Sequence, residues 1–243
     1  MKKVHLLIKK EEIDEEKMAT GSKVAVVLDV LLATSTITAA LYDGAKEVLP
    51  VLDSAEALEA AKTFKPETCV VAGELNAKPL DGFVYPSPRV IREQIKDKTL
   101  ILSTTNGTVA LRKSAAAKKV YIASLLNNSF VAQAVNEEKD MDTIVVVCSG
   151  NSGELSLEDL YGGGHFISCL LGGEPEKYDL TDPAKAALSF YEGRKEDAYN
   201  VLLSSRVGSM FGKYSFIDEL EFAASKGKLP IVPVLYDGKA VRI

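Results

Sequence analysis

Four apolar runs in this sequence end in residues that could grip an anion or a metal. After "VAVVL" come Asp29 and then Ala33-Thr34-Ser35-Thr36, and after "CVVA" come Gly73 and Glu74. After "LIL" come Ser103, Thr104, Thr105, Asn106 and Gly107. After "IVVV" come Cys148, Ser149, Gly150, Asn151, Ser152, Gly153 and Glu154, with Glu158 and Asp159 just inside the helical pattern that follows. Glycines and short hydroxyls ahead of a helix offer backbone N–H groups to an anion, and the helix N-terminus favours negative charge there. Carboxylates in the same crevice would repel that anion unless a cation lies between them. Mg²⁺ suits the role, because it takes oxygen ligands and bridges carboxylates to phosphate. The joint pattern points to Mg²⁺-dependent phosphoryl chemistry.

Each feature also has a plain structural reading. Thr-Thr-Asn-Gly serves equally as a strand-to-helix turn with a capping Asn, and Asp29 as a cap for the next helix. Ser156 and Asp159 match a capping box with Asp in place of Glu. Glu74 resists this treatment, because a carboxylate at the end of a buried strand needs a partner. His5 in a first strand, His165 on an apolar helix face and Cys169 all read as structural. Spacing excludes other mechanisms. Six positions after Cys148 stands Glu154, not the arginine a cysteine phosphatase needs, and Leu31 breaks an Asp-x-Asp motif at Asp29. Neither a G-x-x-x-x-G-K-[ST] loop nor a G-x-S-x-G elbow is present.

The elements that must position these residues alternate between strand-like and helix-like, as in a largely parallel or mixed sheet with helices on its faces. "VAVVLDV" is apolar throughout, as a strand buried on both faces should be. "TSTITAALYDG" predicts a helix capped by Ser or Thr and ended by Gly44. In "EVLPVL", Pro50 predicts an edge or a strand end. "SAEALEAAKTF" predicts a helix after Ser54, and "RVIREQI" a short one. The Gly162-Gly163-Gly164 run in "SLEDLYGGGHFISCLL" predicts close packing or a kink. "LPIVPVLYDG" reads as a closing strand. The fold class expected is α/β, a layered α/β/α domain over residues 1–243, more helical near 182–225.

Composition narrows the partners. The 243 residues are 47% hydrophobic and 26% charged, with a net charge of −5. That balance supports a sizeable core and argues against nucleic acid, which selects basic faces. Three scattered cysteines predict neither a disulfide framework nor a structural zinc. No signal peptide or bilayer-spanning run is evident, so a cytoplasmic protein is expected, with no membrane partner. A homo-oligomer stays open.

In order along the chain, "VVLDVLLATSTITAALYDGAKEVLPV", "AGE", "DGF", "STTNGTVAL", "ASLLN" and "CSGNSGELSLEDLYGGG" resemble the 2-phosphosulfolactate phosphatase family. The resemblance implies a layered α/β fold and Mg²⁺-dependent hydrolysis of phosphosulfolactate to sulfolactate, on the route to coenzyme M. It implies a small anionic phosphoester as the partner. Asp29, Glu74 and Asp159 are then the expected catalytic and metal-binding acids. Thr34, Ser35, Thr104, Thr105, Asn106, Gly107, Ser149 and Gly150 are the expected phosphate and substrate contacts. The pattern departs at three family arginines, which are Leu32, Leu75 and Val109 here, and at a family acid, which is Val84. Arg89, Arg92 or Arg112 could partly substitute from a nearby position. The departures open an alternative, a paralogue that binds a ligand or partner without catalysis.

Overall fold

A computed structural model describes residues 1–75, 78–213 and 216–243. Among them are eleven strands: β1 (Lys2–Leu7), β2 (Lys23–Leu28), β3 (Glu47–Val51), β4 (Cys69–Leu75), β5 (Lys78–Pro79), β6 (Thr99–Ser103), β7 (Lys119–Ala123), β8 (Thr143–Cys148), β9 (Tyr178–Leu180), β10 (Pro233–Tyr236) and β11 (Lys239–Arg242). They form one mixed sheet in the order β5-β4-β6-β3-β11-β10-β7-β2-β8-β1-β9. β7, β2, β8, β1 and β9 make one parallel block, and β4, β6 and β3 another. The closing segment is a hairpin, β10–β11, wedged between them with antiparallel pairing on every side.

Three antiparallel steps mean that the two parallel blocks run in opposite directions along the ladder. Sheet twist offsets this. At roughly 20–25° per strand, the five steps from β6 to β2 turn the blocks far enough for both sets of carboxyl ends to approach one crevice.

β2 shows why its sequence is continuously apolar. Ala25 and Val27 join one core cluster, and Val24, Val26 and Leu28 join another on the opposite face. The helices Ala33–Tyr42 and Gly107–Ser114 pack into the first cluster, and Asn128–Glu137 and Leu157–Leu171 into the second. Helix Ala33–Tyr42 is almost wholly buried, so its hydroxyls need internal partners. Thr36 Oγ1 donates to Pro86 O at 2.6 Å, and Thr38 Oγ1 to Thr34 O at 2.7 Å. Among the described residues four helices, Asp182–Gly193, Ala198–Ser204, Arg206–Lys213 and Ile217–Ala223, follow β9. With Val30, Leu31, Leu32 and Leu125 they build a third apolar cluster beyond the ends of β2 and β7.

Several local expectations shift. β3 is interior rather than an edge, but β11 pairs with it only at Val48, so Pro50 lies past the rungs that would need its missing N–H. The cap of helix Ser54–Ala61 is Asp53, which accepts from Glu56 N–H at 2.8 Å. Helix Ala33–Tyr42 has no side-chain cap at its N-cap position. The triple glycine marks close packing in an unbroken helix: a Cβ at Gly164 would run into the Ala187 backbone.

Candidate active site

Leu28 is the last buried rung of β2, and the chain then turns sharply into helix Ala33–Tyr42. The turn closes on itself. Thr34 N–H and Oγ1 donate to Asp29 O at 3.0 and 2.8 Å, and Ser35 Oγ donates to Val30 O at 2.8 Å. Thr34 and Ser35, expected to meet the substrate, are buried instead, their hydroxyls spent on this turn. Their work is to fix Asp29, whose carboxylate accepts from the N–H groups of Ala33 and Leu32.

Across the crevice, Glu74 is the penultimate residue of β4. Its Oε1 accepts from Thr105 N–H at 2.7 Å and its Oε2 meets Thr105 Oγ1 at 3.2 Å. The buried carboxylate thus has its partner in the Thr-Thr-Asn-Gly segment. Thr104 and Thr108 bond reciprocally and start the helix, the N–H of Thr108 reaching Thr104 Oγ1 at 3.2 Å. Asn106, expected as a cap on the plain reading, makes no cap bond. Its Oδ1 accepts from Lys10 Nζ at 2.7 Å, which leaves the amide N–H pair as the donors it can offer a ligand. Gly107 lies beneath Asp29 rather than in the cavity: a Cβ there would stand 2.5 Å from Asp29 Oδ2.

Asp29, Glu74, Thr104, Thr105 and Asn106 line a single cavity of about 210 Å³. Asp159 does not line it. Its Oδ1 accepts from Val30 N–H at 2.9 Å and its Oδ2 from Gly150 N–H at 3.1 Å, so it ties the β2 turn to the β8 turn. The capping box is therefore half made: Ser156 Oγ accepts from Asp159 N–H, while the acid points elsewhere. Ser149 and Gly150, expected as phosphate contacts, also belong to this underpinning, with Ser149 Oγ donating to Leu28 O at 2.8 Å.

Charge is concentrated here. Burial, then the negative charges of Glu74 and Glu158, push the Asp29 carboxyl up to about 7. Burial, then Asp29 and Glu158, hold Asp159 well above the usual carboxylate range. Burial raises Glu158 as well. His165, by contrast, is pushed down to about 3 by burial and sits against Asn128 at 3.1 Å, a neutral packing group.

The oxygen donors suit a hard cation. Among the described residues no group of three or more His, Cys, Asp or Glu side chains is arranged to hold a metal. A pair of carboxylates in a cavity with room for waters and phosphate oxygens would suit Mg²⁺ better than a metal that needs an all-protein cage.

A sequence profile of the 2-phosphosulpholactate phosphatase family matches residues 7–238. The chain belongs to that family. A probable 2-phosphosulfolactate phosphatase of Clostridium perfringens is 38% identical over 235 residues, 95% of this chain and 92% of the relative. One from Clostridium botulinum is 34% identical over 241 residues, 98% of each chain. One from Caldanaerobacter subterraneus is 36% identical over 218 residues, 89% of each.

This 2-phosphosulpholactate phosphatase family member replaces three expected arginines, and none of Arg89, Arg92 and Arg112 compensates. Arg89 pairs with Asp218, Arg92 with Asp43 at 2.9 Å, and Arg112 with Glu56 at 2.8 Å, all outside the cavity. Leu32 lines the cavity, while Leu75 and Val109 do not. Among the described residues the cavity's guanidinium is Arg206, from the helical region after β9, which the sequence reading missed. Lys10 was also missed; neither lies near a recognisable motif.

Among the described residues no helix is long and apolar enough to cross a membrane.

Proposed function

We propose that the chain is a Mg²⁺-dependent phosphatase acting on a small phosphorylated acid. The observation that carries this is the convergence of Asp29 and Glu74, from oppositely directed sheet blocks, on one cavity floored by Thr104, Thr105 and Asn106. Asp29 and Glu74 would hold Mg²⁺, which when bound neutralises phosphate oxygens and acidifies water. Glu74, gripped by Thr105 at two atoms, would be the more rigidly held of the two ligands. The Asp29 carboxyl, raised to about 7 by burial and by Glu74 and Glu158, would fall once a cation neutralised that cluster, leaving a carboxylate able to accept the proton of the attacking water. Water oxygen bonds to phosphorus, the P–O bond to the organic part breaks, and the alcohol leaves with a proton. Asn106 Nδ2 is a neutral donor for phosphate oxygens. Asp159 supports this as a positioning residue through Val30 and Gly150. No feature of the cavity favours the non-catalytic paralogue over this reading, since its acids are retained and oriented.

The test is release of inorganic phosphate from small phosphoesters with and without Mg²⁺. Chelation is expected to abolish turnover. Asp29→Asn and Glu74→Gln are each expected to lower kcat by about 10²-fold or more. Absence of metal-dependent turnover by the wild type across the set would overturn the proposal.

A further inference from the structure

Asn106 lines the cavity at the start of helix Gly107–Ser114, yet makes no cap bond to that helix. A half-turn of its amide changes the shape little and reverses the chemistry. One orientation offers an anion two N–H donors, and the other a carbonyl oxygen that repels it. What decides between them lies 96 residues away in the chain: Lys10 Nζ donates to Asn106 Oδ1 at 2.7 Å. An ammonium has donors only, so the amide oxygen must face Lys10 and the NH₂ group must face away from it. Accepting from a cation also polarises the amide and strengthens its remaining donors.

Lys10 is itself held. Its N–H donates to Ser149 O at 3.0 Å, which seats the short 3₁₀ turn Lys10–Glu12 on the turn after β8. Lys9 Nζ donates to Gly153 O at 2.8 Å, and a Cβ at Gly150 would stand 2.7 Å from Lys9 Cβ. The Lys10 side chain is only 13% exposed, and Glu11 Oε1 lies 3.0 Å from its ammonium. Helix Gly107–Ser114 brings no cation of its own to this end, where Thr108, Val109 and Ala110 follow the glycine.

Building on the phosphatase reading above, we propose that Lys10 is a positioning residue for phosphate binding. It lies outside the cavity lining and acts through Asn106, holding Nδ2 toward the phosphate oxygens and polarising it.

The experiment is a double-mutant cycle on Lys10→Met and Asn106→Ala. It is read by calorimetric binding of inorganic phosphate in the presence of Mg²⁺, and by kcat/KM for the best ester of the phosphatase set. Alone, Lys10→Met is expected to weaken phosphate binding and to lower kcat/KM, each by about tenfold. In the Asn106→Ala background the same change is expected to cost less than about twofold, because the amide through which Lys10 acts is gone. An equal loss in both backgrounds overturns the proposal, since a lysine that only packs the turn, or attracts the anion directly, is felt with or without Asn106. No loss in the wild-type background overturns it as well. A wild type that neither binds phosphate nor turns over any ester overturns the phosphatase reading, and this proposal with it.

Discussion

Gly107 lacks a side chain because Asp29 and Ala33 occupy the space one would need. Forcing a methyl into such a gap typically costs about 1–3 kcal/mol. Gly107→Ala is therefore expected to lower the melting temperature by several degrees and to displace Asp29, cutting turnover while the other cavity residues stay intact; unchanged melting and unchanged kcat would refute the close approach. Asp29 itself makes stability depend on pH. Its carboxyl titrates near 3.8 when unfolded and at about 7 when folded. Between those values the folded state binds more protons, so stability falls as pH rises through that window. Without Mg²⁺, Asp29→Asn is expected to be more stable than wild type at pH 8, and less so at pH 5. Melts at the two pH values in chelator decide it, and equal slopes for the two proteins would refute it. That Asp29, Glu74 and Thr104 to Asn106 gather at one cavity was legible in the sequence, because each follows an apolar strand, where a parallel block delivers its polar residues. Thr34, Ser35 and Ser149 were misread for the same reason: a buried hydroxyl that closes a turn has the same local sequence as one that meets a ligand.

At the scale of elements, Asp159 joins three segments. It sits in helix Leu157–Leu171 and holds the turns after β2 and β8 by their N–H groups. Hydrogen bonds to charged groups contribute roughly 1.5–3 kcal/mol each. Asp159→Asn keeps the shape but sets an NH₂ against one of those donors. It is expected to lower stability by about that amount and to speed amide exchange at Val30 or Gly150. Retained protection at both amides would refute the tie. No local pattern announces this, since Ser156 and Asp159 match a capping box whether or not the acid turns back on its own helix. Arg206 poses the harder case. Its helix contributes to the cavity only because the third apolar cluster seats it over Leu31 and Leu32. A long-range packing decision leaves no periodic trace in the residues around the cation.

At the scale of the whole molecule, alternating strands and helices announced an α/β fold, but the direction of each block did not show in the sequence. Apolar runs look alike whichever way they point in the sheet. What decides it is the β10–β11 hairpin, and the link to β3 rests on Ala240 opposite Val48. Ala240 is fully buried. Ala240→Asp is expected to place an unpaired charge between the blocks and cost several kcal/mol, giving aggregated protein or a melting temperature lowered by more than about 10 °C. A soluble, normally melting variant would show that the blocks hold together without this join.

The hairpin also sets an order of events during synthesis. Both parallel blocks leave the ribosome before residues 233–242 do, and until then β3 and β7 each present a bare row of N–H and C=O groups toward the gap the hairpin later fills. Such rows readily pair with another chain. A nascent copy of this protein is thus most exposed to its neighbours while the crevice at Asp29 and Glu74 is still half assembled, and its folding yield should fall as the concentration of unfinished chains rises.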